Sequence, residues 1–440
     1  MGEKGKPPAF LERMRREVGT SIFRLPFPQW DYFVVVADAD VARTILNQQK
    51  SEKTWLYQAM NAIHGGVGSV FTKFTFNDGW DWARKGSAHA FTAARVTASL
   101  QLSAQHLAKL DHYLLDCAAR GLSFPVADVM VHLTLDMIAT SGFGGFPMDA
   151  LQIQGQERNS EGRQFLHELE LALVEFIMKQ AYNPVRKFQV WDSELRRANQ
   201  SSKFLMDQAQ RILDFNRASG KLQNDQDSIV GFLCRNESYP SDLERCADLL
   251  VYLIAGHDTT GYTIAWILCA LAQHPDIQER LAADVEEHGK DSPYLQCVIK
   301  EGMRINPVAT LGSIRRTAED VETPDGGVIP AGSSVMTPLH LIFCEPWIER
   351  AKEFVPERWA EGAPQKQLLE RKIFPFSLGR RDCIGQRLAM SSIKNVLVHL
   401  VPKYKFAMLK EPVPDYFLTL KPSGAELSVT PRRPVAIVGA

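Results

Sequence analysis

Apolar and polar residues recur with a helical period over most of the chain. From about residue 80 to about residue 304, apolar side chains return every three or four positions, and strand-like alternation is rare. The predicted helices cover residues 11–18, 39–48, 98–119, 126–141, 162–180, 193–219 and 241–273. The chain is therefore predicted to be mainly α-helical.

Short strand patterns occur near both ends of the chain. Alternating or β-branched runs predict strands over residues 33–37, 327–330, 334–337, 418–420 and 426–429. Residues 54–78 mix glycines with aromatic residues and predict a long loop. Together these patterns predict one interlocked domain over residues 1–440. Its small β part comes from about residues 20–50 and 310–340, and the helical body comes from the rest.

The longest predicted helix has a polar centre between two apolar halves. Ser241 is its predicted N-cap, and His274-Pro275 ends it. The central segment, Gly256-His257-Asp258-Thr259-Thr260-Gly261, is unfavourable for a helix, because each glycine costs about 1 kcal/mol relative to alanine. Threonine and aspartate also compete for backbone groups, so we expect a locally widened helix with a pocket floored by backbone. A carboxylate beside a hydroxyl there can hold a water and relay a proton; the alternative is a polar kink that serves structure only.

A second unusual segment runs from Phe376 to Gly385. It places an aromatic residue, two glycines and an arginine at fixed offsets around Cys383. Amides in a tight glycine turn can point at a thiolate, and a helix predicted from Gln386 onward brings its positive end close to the sulfur. Arg381 can reach a carboxylate at the edge of a cofactor. These features predict a thiolate that ligates a metal cofactor, whereas the alternative, a buried free cysteine in a turn, needs none of them.

Composition narrows the function classes. The hydrophobic fraction of 45% and the charged fraction of 23% are ordinary for a globular protein, and the net charge of −1 gives no indication of a nucleic-acid partner. The seven cysteines include no Cys-x-x-Cys pair, so neither a disulfide framework nor a structural zinc site is indicated. A reducing compartment is expected, and no apolar run is long enough to span a bilayer.

The motifs together resemble those of the cytochrome P450 family of haem-thiolate monooxygenases. Residues 376–385 match the family pattern Phe-x-x-Gly-x-Arg-x-Cys-x-Gly in full, and residues 255–260 match Ala/Gly-Gly-x-Asp/Glu-Thr-Thr. Three further elements occur in the family's order: Trp80 with Arg84, Glu301 with Arg304, and Pro356-Glu357-Arg358. The resemblance implies a mainly α fold with small β-sheets, in which a triangular helical body holds haem between the long central helix and the helix after the cysteine.

The resemblance also implies a role for each matched residue. Cys383 is expected to be the axial thiolate on the iron of haem b, with no other cofactor bound by this chain. Asp258 and Thr259 are expected to deliver protons to bound dioxygen. The other expected cofactor contacts are Trp80, Arg84, Arg315 and Arg381 at the propionates, and Ala255, Phe376 and Gly385 near the ring and the sulfur. The expected buried charge triad behind the cysteine loop is Glu301, Arg304 and Arg358. One departure, Gly302, is expected to loosen the Glu301 helix.

The family's substrate-contact regions carry mainly apolar or aromatic residues in this chain. The candidates are Phe71, Phe74, Phe76, Tyr252, Val308, Leu311, Leu418 and Thr419. They predict a small apolar substrate such as a fatty acid, terpenoid, sterol or drug-like molecule, although each side chain is also compatible with core packing.

The implied reaction inserts one oxygen atom of O2 into that substrate, by hydroxylation or epoxidation. Electrons are expected from a separate redox partner, an NADPH-dependent flavoprotein reductase rather than a ferredoxin. A basic docking face is predicted from Arg371, Lys372, Arg380, Arg387 and Lys394. We expect the chain to be soluble as given. The native form is expected to be associated with the endoplasmic-reticulum membrane, with its anchor removed from this sequence, or otherwise to be cytoplasmic. Peripheral contact with a membrane is also expected.

Two other classes remain as alternatives. A haem-thiolate isomerase or dehydratase would rearrange fatty-acid hydroperoxides without external electrons, but such enzymes can dispense with the acid–alcohol pair at Asp258 and Thr259. A non-catalytic haem-binding protein would have no use for that pair.

Overall fold

The structure, a computed structural model, describes residues 7–26, 32–48, 50–74, 79–153, 155, 159–180, 183–220, 228–416 and 418–433. Helices dominate this part of the chain and are labelled in chain order. Their bounds are α1 Pro7–Val18, α2 Ala39–Asn47, α3 Trp80–Ser87, α4 Ala93–Leu102, α5 Ala104–Arg120, α6 Val126–Gly142, α7 Glu161–Leu173, α8 Ser193–Ala218, α9 Ile229–Arg235, α10 Asp242–Gln273, α11 Pro275–His288, α12 Pro293–Ile305, α13 Leu339–Ile342, α14 Lys366–Lys372 and α15 Gln386–Leu400.

Short strands form small sheets beside the helices. Their bounds are β1 Ile22–Pro26, β2 Tyr32–Val36, β3 Glu52–Lys53, β4 Phe124–Pro125, β5 Ser313–Arg316, β6 Val321–Glu322, β7 Val328–Ile329, β8 Ser334–Thr337, β9 Tyr404–Lys410, β10 Val413–Tyr416, β11 Leu420–Ser423 and β12 Glu426–Pro431. One sheet has the order β1-β2-β8-β5-β3 and so joins strands from residues 22–53 to strands from residues 313–337. A second has the order β4-β12-β9, and β6-β7 and β10-β11 are two-stranded. The predicted class, mainly α with small sheets, is confirmed.

Helix α10 connects two apolar clusters. Its residues 246–254 pack in a cluster with α7, α8 and α9, and its residues 264–272 pack in another with α5, α6, α12 and α15. The polar centre of the helix lies between these clusters. The hydroxyl of Ser241 accepts a hydrogen bond from the N–H of Leu243, so the predicted N-cap is confirmed.

The glycines of α10 allow close packing and do not widen the helix. The helix is continuous from Asp242 to Gln273, so the expected local widening is wrong. A Cβ at Gly261 would lie 2.9 Å from Cα of Val131, and a Cβ at Gly256 would lie 3.0 Å from Ile138. Both neighbours belong to α6. Glycine therefore lets α6 lie directly against the centre of α10.

Gly302 has the same function in α12. A Cβ at this position would lie 2.5 Å from Cγ1 of Ile267 on α10. The helix continues through it from Pro293 to Ile305. Gly302 thus sets the distance between α12 and α10 rather than loosening the Glu301 helix.

Some local predictions were wrong in detail. Within the predicted loop over residues 54–78, Trp55–His64 form a 3-10 helix, because the glycines follow this segment and do not interrupt it. The helix predicted over residues 98–119 is divided into α4 and α5 at Ser103, whose hydroxyl donates back to the carbonyl of Ser99 at 2.9 Å. The helix predicted over residues 162–180 ends in a π-helical turn, Val174–Lys179. The strand predicted at residues 418–420 begins at Leu420.

Candidate active site and cofactor cavity

A large cavity lies between the centre of α10 and the start of α15. Its volume is about 540 Å³. Ala255, Asp258 and Thr259 line it from α10, and Phe376 and Cys383 line it from the opposite side. Ala255 is exposed although residues 249–254 of the same helix are buried, because its side chain faces this cavity. The fold therefore brings together the two segments that the sequence singles out.

The backbone of the cysteine loop requires glycine at one position. Gly379 has a φ of +73°, and a Cβ there would lie 2.2 Å from the carbonyl oxygen of Leu46. The N–H of Cys383 donates to the carbonyl of Phe376 at 2.9 Å and closes the loop. Ser377 has a φ of +61°, a strained value for a residue with a side chain. The loop thus holds Cys383 in one place just before α15.

The sulfur of Cys383 faces the cavity. The residue is exposed, but the surface it exposes opens into the cavity and not to bulk solvent. Burial raises the pKa of the thiol, while a hydrogen bond from the N–H of Gly385 and the charge of Arg84 oppose that rise. A metal ion bound to the sulfur would favour the thiolate outright. Gly385 therefore supplies the N–H donor that the sequence predicts.

Four cationic side chains line the same cavity: Lys53, Arg84, Arg315 and Arg381. Arg315 is 2% exposed, and among the described residues its Nη1 atom has no hydrogen-bond partner. Burial lowers the pKa of Arg315, and burial together with the charge of Arg315 lowers the pKa of Arg381 to about 9. A buried guanidinium with one unsatisfied terminal nitrogen, lying beside further cations, favours an anionic ligand.

Lys53 is a site residue that the sequence did not reveal. It is 6% exposed, and its ammonium group donates to the carbonyl of Phe71 at 2.6 Å. Burial lowers its pKa well below the ordinary value. The pairing of β3 with β5 places Lys53 directly opposite Arg315. Like charges opposite each other destabilise a sheet, and an anion bound nearby would offset that repulsion. This signal depends on strand pairing and cannot be read from the local sequence.

The residues present fit haem b, which carries two carboxylates. Trp80 is buried at the cavity wall, and the guanidinium of Arg381 lies 4.1 Å from the centre of its ring. Arg84 donates to Asp382 at 2.5 Å beside the cysteine. The structure brings to the cavity all seven predicted cofactor contacts: Trp80, Arg84, Ala255, Arg315, Phe376, Arg381 and Gly385. A cysteine and a group of buried cations in one cavity suit a metal-bearing group with acidic side chains.

The predicted acid and alcohol line the cavity but are bonded to different groups. The carboxylate of Asp258 accepts hydrogen bonds from the hydroxyls of Thr419 and Tyr262, and burial raises its pKa. The hydroxyl of Thr259 donates to the carbonyl of Ala255 at 2.8 Å. Proton transfer between Asp258 and Thr259 therefore needs a bridging water or a side-chain rotation. The sequence did not predict Tyr262 at this acid.

Glu301 forms the centre of a buried charge cluster. It accepts two hydrogen bonds of 2.8 Å from Arg304 and one of 3.0 Å from Arg358. The N–H of Val355 and the indole N–H of Trp359 also donate to it, at 3.0 and 2.8 Å. Burial alone would raise the pKa of Glu301, but the hydrogen bonds and charge of Arg304 hold it below the ordinary value. The contact with Trp359 was not predicted.

Most of the predicted substrate contacts line the cavity. These are Phe71, Tyr252, Val308, Leu311, Leu418 and Thr419. Phe74, which follows the turn closed by the Lys73 N–H and the Ser69 carbonyl, does not line the cavity. Phe76 lies outside the described residues. Further lining residues, missed in the sequence, are Met60, Ile177, Met178 and Tyr416.

The predicted basic face is partly neutralised by acids. Arg371 and Lys372 lie 3.7 and 2.9 Å from the carboxylate of Asp40. Arg380 pairs with Asp81 at 2.8 Å. Arg387 and Lys394 lie on α15, which follows the cysteine loop.

Sequence and structure comparisons find similar proteins over most of the chain. A family model described as "Cytochrome P450" matches residues 1–429. Cytochrome P450 3A5 of Homo sapiens is 26% identical over 409 residues, 86% of this chain and 77% of that protein. The putative cytochrome P450 CYP13A4 of Caenorhabditis elegans is 31% identical over 230 residues, 47% of this chain and 44% of that protein. The crystal structure of a cytochrome P450, CYP102L1, has a similar fold, with a TM-score of 0.85, 22% identity, and coverage of 97% of this chain and 98% of that one.

Proposed function

We propose that this chain, which belongs to the cytochrome P450 family and is a haem-thiolate monooxygenase, hydroxylates or epoxidises a small apolar substrate. Its electrons would come from a separate NADPH-dependent flavoprotein reductase. The family's cofactor is haem b. When bound through Cys383, it supplies the activation of dioxygen. The observation that carries the proposal is one cavity lined by a cysteine, a group of cations and an apolar wall.

The apolar wall supports an apolar substrate. Side chains without hydrogen-bonding groups dominate the lining away from the cysteine, among them Met60, Phe71, Ile177, Leu311 and Leu418. A site of this kind binds by shape and burial of apolar surface, with a few polar groups fixing orientation. We therefore assign these side chains to substrate binding.

The environment of Asp258 supports a role in proton delivery. Because burial raises its pKa, the carboxyl holds a proton more readily than an exposed aspartate. The hydroxyl groups of Thr419 and Tyr262 fix its orientation. Thr259 presents its oxygen to the cavity while its proton is held by the Ala255 carbonyl. We assign Asp258 to proton supply and Thr259 to holding the water or oxygen that receives the proton.

The cations and the charge cluster have different assigned roles. Arg84, Arg315 and Arg381, with Trp80, would bind the haem propionates. Glu301 and its two arginines would brace the segment that precedes the cysteine loop, because they hydrogen-bond to its backbone at Phe343, Glu349, Ala351 and Val355.

Surface charge near the cysteine loop supports a separate, acidic redox partner. Arg387 and Lys394 are on the helix that begins beside the loop, and opposite charges steer protein association. Arg387→Glu should weaken reduction by a flavoprotein reductase, most strongly at low salt, whereas Lys410→Glu on β9 serves as a control for net charge. If a ferredoxin reduced both variants as fast as the flavoprotein reductase does, or faster, the choice of partner would be contradicted.

An exposed apolar patch supports peripheral contact with a membrane. Val185, Phe188, Val190 and Trp191 are 63%, 65%, 67% and 72% exposed, and they follow the π-helical turn that contributes to the cavity wall. In the part of the chain that the structure describes, none of the helices is long and apolar enough to cross a bilayer. We propose that the patch rests on a lipid surface from which an apolar substrate enters the cavity.

Vesicle sedimentation tests this contact. Replacing Phe188 and Trp191 with serine should reduce co-sedimentation with phosphatidylcholine–phosphatidylserine vesicles. Replacing Val328 and Leu409, which are 55% and 62% exposed elsewhere, serves as the matched control. Equal binding by both double variants would count against the patch.

The proposed reaction is tested with the purified, haem-loaded protein. A reduced carbon-monoxide difference spectrum reports thiolate ligation, and spin-state shifts during a screen of apolar compounds identify ligands. NADPH- and reductase-dependent formation of a product that carries one atom of labelled O2 is the expected result. Conversion of fatty-acid hydroperoxides without reductant, and no oxygen incorporation from O2, would contradict it.

A further inference from the structure

Asp248 is a buried acid of α10 that binds two distant parts of the chain. It is 1% exposed. One carboxylate oxygen accepts the N–H of Val70 at 2.5 Å, and the other accepts the hydroxyl of Tyr239 at 2.5 Å. Val70 belongs to the turn over residues 69–73, and Tyr239 precedes α10. Asp248 therefore fastens this turn to the central helix.

The other side of the turn holds cations of the cofactor cavity. The carbonyl oxygens of Val70 and Lys73 accept hydrogen bonds from the guanidinium of Arg381, the former at 3.1 Å. The carbonyl oxygen of Phe71 accepts the ammonium group of Lys53 at 2.6 Å. The turn is thus bound by an acid on one side and by two cavity cations on the other.

Packing alone does not explain an acid at this position. Burial raises the pKa of Asp248 to about 6. Because this pKa still lies below neutral pH, the carboxylate is charged there without water around it. An apolar side chain would avoid this cost of desolvation. The charge of Lys73 on the turn favours the ionised form, and Glu244 on the same helix opposes it. What an apolar side chain cannot do is accept the N–H of Val70 and the hydroxyl of Tyr239.

Tyr239 extends the contact to α3. Its ring packs edge to face against Trp82, with 4.6 Å between ring centroids. Helix α3 also carries Trp80 and Arg84, which line the cavity. Asp248 is therefore connected, directly or through Tyr239, to the backbone elements that present several of the cofactor contacts.

We propose that Asp248 is a positioning residue for the cofactor: it fixes the turn over residues 69–73, whose carbonyl groups fix Arg381 and Lys53 in the cavity. The inference rests on the proposed role of these cations as partners of the haem propionates. Long cationic side chains lose rotational freedom when they bind an anion, and a preset turn reduces that loss. The result is slower loss of haem and a defined charge beside it.

Two variants test the role, and one provides a matched control. Asp248→Asn weakens the contact with the turn while keeping the shape, and Tyr239→Phe removes one hydrogen bond and leaves the ring. Asp136→Asn is the control, since Asp136 on α6 is also buried and its pKa is also raised by burial to about 6. Its carboxylate accepts the N–H groups of Ala150 and Leu151 instead of a group in the turn.

The measurements use the haem-loaded protein. We expect Asp248→Asn to transfer haem to apomyoglobin about tenfold faster than the wild type, the effect of one charge-assisted hydrogen bond, and Tyr239→Phe to do so by a smaller factor. Amide hydrogen exchange at Val70 should rise in Asp248→Asn. The iron reduction potential should shift in the same variant, because the cations are held less firmly. In Asp136→Asn the midpoint of urea unfolding should fall. The rate of haem transfer, the amide exchange at Val70 and the iron reduction potential should all stay unchanged.

Several results would overturn the positioning role. These are transfer from Asp248→Asn no faster than from Asp136→Asn, unchanged exchange at Val70, or an unchanged reduction potential. If Asp248→Asn does not fold, Tyr239→Phe carries the same comparison. Failure of the wild type to give a thiolate signature in the carbon-monoxide spectrum would instead contradict the proposed function, and would leave the comparison of exchange at Val70 intact.

Discussion

Replacing Glu301 with alanine tests whether the buried charge cluster holds the cysteine loop in place for haem. Glu301 is fully buried, and its carboxylate accepts five hydrogen bonds, three of them from two arginines. Arg304 is also fully buried and donates further to the carbonyls of Phe343, Ala351 and Glu353. Alanine would leave both guanidiniums in the interior without their acid.

The expected loss of stability is large. Breaking a buried ion pair by removing one partner costs about 3–5 kcal/mol. The N–H of Val355 and the indole N–H of Trp359 would also lose their acceptor, and each unsatisfied buried donor costs about 1–3 kcal/mol. These terms overlap, but even the first is a sizeable part of the roughly 5–15 kcal/mol that stabilises a typical protein. We expect Glu301→Ala to accumulate without bound haem.

The control is an exposed pair with the same spacing. Arg350 and Glu353 are three residues apart, as Glu301 and Arg304 are, but both side chains are 56% exposed. Glu353→Ala should therefore keep its haem and its unfolding midpoint, since exposed pairs contribute little. Haem content is measured by the reduced carbon-monoxide spectrum and stability by urea unfolding. A haem-replete Glu301→Ala protein that unfolds with the wild type would refute the reasoning.

The remaining predictions concern α10. Asp258→Asn should slow product formation and Thr259→Ala should divert reducing equivalents to peroxide; unchanged coupling of NADPH oxidation to product in both would count against the proton relay. Gly261→Ala should lower the thermal midpoint, because overpacking against Val131 costs about 1–3 kcal/mol, and an unchanged midpoint would contradict the close packing of α6. The folded-state pKa of Asp248, about 6, exceeds its ordinary value of 3.8, so its contribution to stability is fully present below pH 3.8 and is lost as pH rises through 6. The unfolding free energy of the wild type relative to Asp248→Asn should therefore rise by up to about 3 kcal/mol between pH 7 and pH 4, and a pH-independent difference would contradict the buried titration.

Features that depend on neighbours in sequence were predictable. The loop around Cys383 is built by residues within ten positions of one another, so their spacing carries the geometry. The ends of α10 could also be predicted, because the Ser241 cap and Pro275 act within one turn of the helix.

Features that depend on distant contacts were missed or misread. Lys53 is unremarkable in sequence, and only its pairing with Arg315 across two strands shows that it faces the cavity. Gly261 and Gly302 suggested a weakened helix, because the sequence does not show that another helix lies within 3 Å of the missing Cβ. Trp359 directly follows Arg358 of the predicted triad. Its hydrogen bond to Glu301 depends on how α12 packs against the segment that contains Arg358 and Trp359.

The two groups of buried arginines differ in how their charge is satisfied, and that difference separates bracing from binding. Arg304 and Arg358 share an acid of this chain and use their remaining donors on backbone carbonyls, so nothing about them calls for a ligand. Arg315 is equally buried, lies opposite Lys53, and among the described residues leaves one terminal nitrogen without an acceptor. Since an unsatisfied buried donor is unfavourable, an anion from outside the chain that accepts from this nitrogen would stabilise the arrangement. Stability of the cavity and retention of the acidic cofactor are therefore coupled, and loss of haem should destabilise the β3–β5 pair before it affects the Glu301 cluster.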